Sequence, residues 1–255
     1  MEEIALTDVI VEKEASPAEL MALEEMMKAG LFWGRRKAKT HPRMKSFVFA
    51  TRNGIEIIDL HQTKQLFEES LDFIKSKIAD GGSVLLVGTT PAAKAVTEEF
   101  AKKLNWPYVA ERWLGGILTN FKTLSKRISY FKKLKTDKAA GRFEKLTKKE
   151  RLNIDREIEE LTIKFSGVEN MEKLPAVVFV IGATEHLTAV KEAKIMKIPV
   201  VAMVNTDFNP EIVDYAIPSN DRSKPAIEWV LSKLETASEE AKKQIVEKND
   251  LTKQK

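Results

Sequence analysis

The hydrophobic positions of the chain form two recurring patterns, short apolar runs and longer stretches with helical spacing. Unbroken apolar runs occur at residues 84–87 and 177–181, and 199–204 gives a third. A run without polar alternation is typical of a strand covered on both faces, as in a parallel sheet. Stretches with apolar residues three or four positions apart follow these runs and predict helices. Strands that alternate with helices predict a doubly wound parallel α/β sheet.

Further elements are indicated at both ends of this pattern. Ser16 can cap a helix, Pro17 is compatible with its first turn, and Glu19 completes a capping box. The turn pair Asn53-Gly54 separates two predicted strands, 47–49 and 55–58. A fourth strand of the parallel sheet is predicted at 215–217. Helices are predicted at 63–78, 91–104 and 185–196 and from Ser223 onward.

Residues 118–168 interrupt the alternation with helical signals at 120–134 and 147–165, joined by a loop that contains Gly141. We predict an antiparallel coiled-coil hairpin inserted into an α/β domain formed by 16–117 and 169–238. Residues 1–15 are expected to be a flexible acidic N-terminus, and 239–255 a polar tail that frays. The predicted apolar stripes of the hairpin are Leu124, Ile128, Phe131 and Leu134, and Leu152, Ile154, Ile158 and Leu161.

Composition narrows the functional class. The 255 residues include no cysteine, which excludes a disulfide framework, a thiolate zinc site and a cysteine nucleophile. No apolar run approaches the roughly 18 residues that a membrane span needs. The first 20 residues lack the basic start and apolar core of a signal peptide. We therefore expect a cytoplasmic protein without a membrane partner.

Positive charge is concentrated in two segments. Residues 31–52 contain seven bases and no acid, and residues 122–151 contain twelve bases and three acids. Such segments favour a polyanionic partner, although solvated surface lysines remain an alternative explanation. Phe32, Trp33 and Phe47 lie among the first set, and aromatic rings can stack on unpaired bases. The candidate RNA contacts in this segment are Arg35, Arg36, Lys37, Lys39, Arg43 and Lys45.

Evidence for catalysis is weak. Gly88-Thr89-Thr90 follows a strand and begins a helix, but no known phosphate-binding motif is present. Asp59 and Asp207 are expected at strand ends, where they can act as caps or as ligand contacts. The three histidines show no metal-ligand spacing. We predict no catalytic residue, no metal and no cofactor, and keep a phosphosugar- or nucleotide-binding enzyme as the alternative.

Residues 112–120, with the sequence RWLGGILTN, follow neither helical nor strand periodicity. This segment is interpreted either as a buried corner with Trp113 in the core or as a loop whose glycines bring the backbone close to RNA. The bases of the predicted hairpin are equally compatible with phosphate contact and with solvation.

Several segments, in order, resemble the bacterial-type ribosomal protein S2 family. Residues 53–60 (NGIEIIDL), 112–120 (RWLGGILTN) and 146–150 (LTKKE) are similar to family motifs, as are 198–200 (IPV) and 214–221 (DYAIPSND). The similarity covers about residues 20–235. The family commonly has two histidines in the stretch where this chain has Phe32-Trp33-Gly34-Arg35, and an Asp where it has Gly182.

The resemblance implies a flavodoxin-like α/β domain with an inserted hairpin and a non-catalytic role in the small ribosomal subunit. Implied partners are small-subunit ribosomal RNA, neighbouring proteins and ribosomal protein S1. A hairpin that mainly binds protein partners is a further possibility. The differences at Arg35 and Arg222 add positive charge. Positions in or beside the matching motifs supply the remaining candidate RNA contacts: Arg112, Asn120, Lys122, Asn220 and Arg222.

Overall fold

The structure, a computed structural model, describes residues 17–253, with side chains described for residues 19–243. The predicted flexible N-terminus and the predicted cap at Ser16 lie outside these residues. In chain order the elements are α1 (Pro17–Lys28), β1 (Trp33–Arg36), β2 (Val48–Arg52), β3 (Ile55–Ile58), α2 (Leu60–Ala79), β4 (Val84–Val87), α3 (Pro91–Leu104), β5 (Tyr108–Val109), α4 (Phe121–Ala139), α5 (Lys148–Phe165), β6 (Val177–Ile181), α6 (Leu187–Ile195), β7 (Val200–Val204), β8 (Tyr215–Pro218) and α7 (Lys224–Lys253).

Five strands form the parallel sheet: the four predicted strands and β5, a strand of two residues that was not predicted. They lie side by side in the order β5, β4, β6, β7, β8, and every neighbouring pair is parallel. Numbered along the chain within this sheet, the order is 2-1-3-4-5, which is the order of flavodoxin-like doubly wound sheets. The strand order therefore reverses between β4 and β6. The predicted α/β class with a parallel sheet is confirmed.

Helices cover both faces of this sheet. Leu86 and Phe179 pack on one face with buried residues of α1, α2, α3 and α7. Leu85 and Val178 pack on the other face with buried residues of α4, α5 and α6. Every residue of β6 and β7 is buried, which explains why these strands show no polar alternation in the sequence.

A smaller antiparallel sheet has the order β1, β3, β2. Its predicted turn is confirmed, since Asn53 and Gly54 adopt φ values of 50° and 73°. Strand β1 was not predicted, because its residues have no apolar alternation. It lies so close to its neighbours that a Cβ at Gly34 would be 2.8 Å from the Glu56 carbonyl oxygen and 2.9 Å from Thr206 Cγ2. Only glycine allows this strand to lie between β3 and the segment after β7.

Helices α4 and α5 lie between β5 and β6 in the chain and contact each other. The Tyr130 hydroxyl of α4 donates to Glu157 of α5 at 3.1 Å, and Lys138 pairs with Asp155 at 2.8 Å. Helix α4 ends five residues later than the sequence predicts, at Ala139.

The buried positions of this helix pair are only partly as predicted. The four predicted residues of α4 are all buried. In α5 the predicted stripe is wrong at Leu152, which is 49% exposed. Burial follows Ile158, Leu161 and Phe165 instead, at spacings of three and four.

The last helix is longer than the sequence predicts. We expected the chain to fray beyond Glu239, whereas α7 continues well past this position. Ala237 and Ala241 are buried and extend the apolar stripe, and Glu240 pairs with Lys75 of α2 at 2.9 Å. The sequence did not predict this extension because its buried apolar residues are alanines among many charged residues. Neither α7 nor any other helix within residues 17–253 is long and apolar enough to cross a membrane.

The packing of α7 can be tested by placing a charge on its buried stripe. We expect Ala241→Glu to lower the free energy of unfolding by about 2 to 4 kcal/mol, because the new carboxylate must enter the core or displace the helix. Lys243→Glu, at an exposed position of the same helix, should change it by less than about 1 kcal/mol. Urea unfolding of both variants measures the difference. Equal stability of the two would mean that this part of α7 is not packed.

Candidate nucleic-acid interface

The predicted RNA contacts lie at one edge of the parallel sheet. We call the carboxyl edge the edge at which β4 to β8 end, together with the segments that leave or cross it. Arg112 follows β5 and Arg222 follows β8, while the connection from β1 to β2 crosses the edge with a hydrogen bond from the His41 amide to the Thr206 carbonyl (2.8 Å). Arg35 and Arg36 are the last two residues of β1, and the Arg35 amide donates to the Thr206 hydroxyl after β7 (2.9 Å). The other nine candidates are on these segments or at the start of α4: Lys37, Lys39, Arg43, Lys45, Arg112, Asn120, Lys122, Asn220 and Arg222.

The last residue of β1 and the connection from β1 to β2 together carry four exposed bases that have no acidic partner among the described residues. Its backbone is held by the fully buried side chain of Met44 and by a hydrogen bond from the Lys37 amide to the Gly54 carbonyl (2.9 Å). Two short 3-10 helices keep the segment compact. Cationic side chains therefore extend from a well-supported backbone. The four bases are Arg36, Lys37, Lys39 and Lys45.

Arg35 differs from these four because it faces inward. Its Nη2 donates to Asp221 Oδ1 at 2.8 Å and its Nε to Asp207 Oδ2 at 3.4 Å, and its side chain is only 15% exposed. Burial raises the pKa of Asp221 to about 6, although Arg35 and Asn205 act to lower it. The folded state therefore gains stability from this carboxyl as the pH falls from about 6 toward 3.8. The charge of Arg35 serves this internal cluster.

Three more candidates have partners within the chain. The Asn220 side chain donates to the carbonyl of Gly30 at 3.2 Å and so ties the segment after β8 to the end of α1. Arg222 pairs with Glu185 at 2.6 Å. Arg43 pairs with Glu211 at 3.3 Å. Both arginines stay more than 60% exposed, so their remaining donors are accessible from outside.

A buried carboxylate organises the loop between β5 and α4. Glu192 of α6 is only 6% exposed. It accepts hydrogen bonds from the indole of Trp113 (3.0 Å), the amides of Gly116 (2.8 Å), Leu118 (3.1 Å) and Thr119 (3.3 Å), and the Thr119 hydroxyl (3.1 Å). The loop thus wraps around a single anion. The interpretation of residues 112–120 as a buried corner is confirmed for this inner side, and the approach of its glycines to RNA stays a prediction.

The electrostatics of Glu192 follow from these contacts. Burial alone would raise the pKa of its carboxyl, but the hydrogen bonds from Gly116, Trp113, Leu118 and Thr119 outweigh burial and lower it. The carboxylate is therefore ionised in the folded protein at neutral pH. Backbone amides grouped in this way can bind an anion such as phosphate, and here the chain itself supplies the anion.

The outer side of the same loop is exposed and polar. Arg112, Asn120 and Lys122 are exposed and form no ion pair with a described residue. Asn120 precedes α4 but its side chain makes no capping hydrogen bond. From the strand spacing, this group lies roughly 15 Å along the carboxyl edge from the connection between β1 and β2.

The position where a small ligand would bind is occupied by His186. In sheets of this strand order, ligands bind where the order reverses, here between β4 and β6. His186 is 2% exposed, and its Nε2 accepts from the Thr89 amide at 3.2 Å and lies 2.9 Å from the Thr89 hydroxyl. Its Nδ1 lies 2.7 Å from the Gly182 carbonyl, which assigns the proton to Nδ1. The Thr89 amide is thereby used internally.

The other groups of the enzyme alternative are also engaged within the chain. Asp207 pairs with Arg35. Asp59 caps α2 by accepting from the amides of His61 and Gln62. Within the described residues, no group of three or more His, Cys, Asp or Glu is arranged to hold a metal ion.

Sequence reasoning missed Glu192 and His186, the two residues that close this edge. One signal was present: Glu192 lies on the same helix face as Ala189 and next to Ala193, both fully buried. A charged residue on a buried face needs hydrogen-bond partners, so its position indicated an internal site.

The aromatic side chains divide in a way that the sequence did not predict. Phe32 is buried and Phe47 packs against the core. Trp33 is 38% exposed, although its ring lies against Phe32 with the centroids 4.7 Å apart. Phe49 of β2 is 52% exposed. Trp33 and Phe49 are therefore the aromatic side chains of residues 31–52 that are accessible to a base.

The role of Glu192 in holding the loop predicts the effect of removing its charge. Glu192→Gln keeps the shape of the side chain but places an amide NH2 against backbone donors, so the free energy of unfolding should fall by about 2 to 3 kcal/mol. Hydrogen exchange at Gly116, Leu118 and Thr119 should speed up. Glu159→Gln, on the exposed side of α5, is the control and should change neither quantity. Unchanged exchange at these amides would contradict the described loop.

The environment of His186 predicts its titration. Burial lowers the pKa of its imidazole, and the Gly182 carbonyl and Glu185 only partly oppose this. We expect NMR titration of the ring nitrogens to give a pKa below 6.5, with the neutral form protonated on Nδ1. Because the unfolded chain then binds more protons, His186 should contribute a fall in stability as the pH drops through 6.5. A pKa at or above 6.5 would contradict the buried position.

Comparison with known proteins identifies the family. The family model for ribosomal protein S2 matches residues 26–241. The small ribosomal subunit protein uS2 of Dehalococcoides mccartyi (strain CBDB1) is 41% identical over 219 residues, covering 86% of this chain and 89% of the relative. The uS2 protein of Dictyoglomus thermophilum is 40% identical over 220 residues, covering 86% and 89%. That of Coprothermobacter proteolyticus is 39% identical over 218 residues, covering 86% and 81%. The chain therefore belongs to the ribosomal protein S2 family, whose members are structural proteins of the small ribosomal subunit and not enzymes.

Proposed function

We propose that this chain binds small-subunit ribosomal RNA through its carboxyl edge, as a cytoplasmic component of the small ribosomal subunit. The observation that carries the proposal is the group of four exposed bases, Arg36, Lys37, Lys39 and Lys45, on a well-supported backbone without acidic partners among the described residues. Binding of such bases to phosphate is favourable because it releases the counterions condensed on RNA. Arg112 and Lys122 extend the same charge along the edge.

The contacts are expected to position RNA and not to read its sequence. Lysine and arginine bind phosphate oxygens, which are the same at every nucleotide. The exposed rings of Trp33 and Phe49 add surfaces on which an unpaired base can stack. RNA shape and neighbouring proteins then determine where the chain binds.

Helices α4 and α5 form, in this proposal, the inserted antiparallel coiled-coil hairpin of the domain formed by 16–117 and 169–238. Their mutual contacts through Tyr130 and Lys138 support this arrangement. Leu152 and Ile163 of α5 are 49% and 60% exposed, which favours a protein partner on that side. Neighbouring small-subunit proteins, including ribosomal protein S1, are the partners that we propose.

The enzyme alternative has less support. Thr89 and Asp207, on which it depended, both have partners inside the chain. A nucleotide or phosphosugar would have to displace His186 from a position with less than 3% exposure. Saturable binding of such a ligand at micromolar concentration would support this alternative.

The proposal is tested by removing the four unpaired charges together. A variant with Arg36, Lys37, Lys39 and Lys45 all changed to Gln should rebind small subunits depleted of the natural chain about tenfold or more weakly at 0.2 M salt. The slope of log affinity against log salt should become less steep by about 3, since each lost phosphate contact contributes about 0.7 to 0.9.

The matched control changes four exposed lysines that lie toward the opposite edge of the sheet, Lys103, Lys173, Lys194 and Lys197, to Gln. It loses the same number of charges and should keep a salt slope close to that of the natural chain. A tagged natural chain should also sediment with small subunits on a sucrose gradient after a high-salt wash. Its recovery only at the top of the gradient, with intact subunits below, would refute the ribosomal role.

A further inference from the structure

For ten of the eleven glycines, the backbone angle or a close contact within the chain explains why the residue is glycine. Gly115 has no such explanation. A glycine is required where φ is in the left-handed region or where a Cβ would collide with neighbouring atoms. Six glycines, including Gly116 (φ 94°), have such a φ. At four others a Cβ would come within 3 Å of another atom, as at Gly34. Gly115 lacks such a φ, and a Cβ built on it meets nothing within 4 Å.

The position of Gly115 points to a partner outside the chain. It is exposed at the turn of the loop that Glu192 holds, and its neighbour Gly116 donates one of the hydrogen bonds to that carboxylate. The amide of Gly115 itself donates to no described group. The backbone at Gly115 is therefore held in place and exposed, and its amide N–H is free to donate a hydrogen bond.

The charge around Gly115 indicates what kind of partner approaches. Arg112, Asn120 and Lys122 are exposed on the same loop and on the first turn of α4, and none of them is paired with a described acid. The nearest acid in sequence, Glu111, is engaged by Lys94. A free amide on a loop that also exposes two unpaired cations and an amide side chain complements an anionic backbone.

We infer that the sugar–phosphate backbone of ribosomal RNA lies directly against Gly115, with its amide donating to a phosphate oxygen and Arg112 contacting an adjacent phosphate. This inference rests on the proposed RNA binding and deepens it. Glycine is needed because any side chain at this position would stand between the two backbones. The contact is steric as well as electrostatic, which distinguishes it from the contacts of Arg36, Lys37, Lys39 and Lys45.

The test adds bulk without changing charge. Gly115→Gln should unfold within about 2 °C of the natural chain, because the position is open. It should rebind depleted small subunits about tenfold more weakly, with an unchanged salt slope, since no phosphate contact by a cation is lost. Thr236→Gln on the exposed side of α7 is the control and should rebind normally. If the Gln variant unfolds early, Gly115→Ala replaces it with the same expectation of weaker rebinding.

The outcomes separate this inference from the proposed function. Normal rebinding of the Gly115 variants, with weak rebinding of the variant that lacks four bases, would overturn the inference and leave RNA binding intact. Normal rebinding of both would overturn both. Ribosomal RNA containing 4-thiouridine should cross-link to the peptide with residues 112–120 in assembled subunits. Cross-links from this peptide only to a neighbouring protein would also overturn the inference, because a protein would then cover Gly115.

Discussion

The buried carboxylate of Glu192 determines what the carboxyl edge presents to its surroundings. A carboxylate removed from water needs charge-assisted hydrogen bonds, and here the loop between β5 and α4 supplies them from its own backbone. The loop cannot rearrange without leaving this charge unpaired, which costs several kcal/mol. The amides of Gly116, Leu118 and Thr119 are therefore used internally, whereas the side chains of Arg112 and Lys122 are exposed.

The other strand ends are closed in a comparable way. His186 fills the place between β4 and β6, and Arg35 joins Asp207 after β7 to Asp221 after β8. An edge that opens onto a ligand crevice in many doubly wound sheets is thus sealed by the chain's own side chains. Small ligands need a cleft that encloses them, whereas RNA is bound by many separate phosphate contacts over a wide surface. The sealed edge suits the second kind of partner.

A structural feature could be predicted from the sequence when the residues that form it lie close together along the chain. Four of the five parallel strands and most helices were predictable because their signals are local patterns of apolar residues, whereas the two residues of β5 are too few to form such a pattern. Strand β1 and the pairing of Arg35 were not, since Asp221 is 186 positions away along the chain. The extension of α7 depends on alanines whose burial only the neighbouring helices reveal. Sequence patterns located the basic segments, but only the fold separates bases with internal partners from bases without them.

The same distinction applies to Arg35 and Arg222, two of the predicted RNA contacts. A phosphate could capture Arg35 only by leaving Asp221 buried without its cation, and that loss opposes the exchange. Arg222 is different, because its side chain is 61% exposed and that of Glu185 is 31% exposed, and pairs open to water are worth only about 0 to 1 kcal/mol. Phosphate can therefore replace Glu185 as the partner of Arg222 at little cost. Arg35 therefore stabilises the edge from within, whereas Arg222 stays accessible to an external anion.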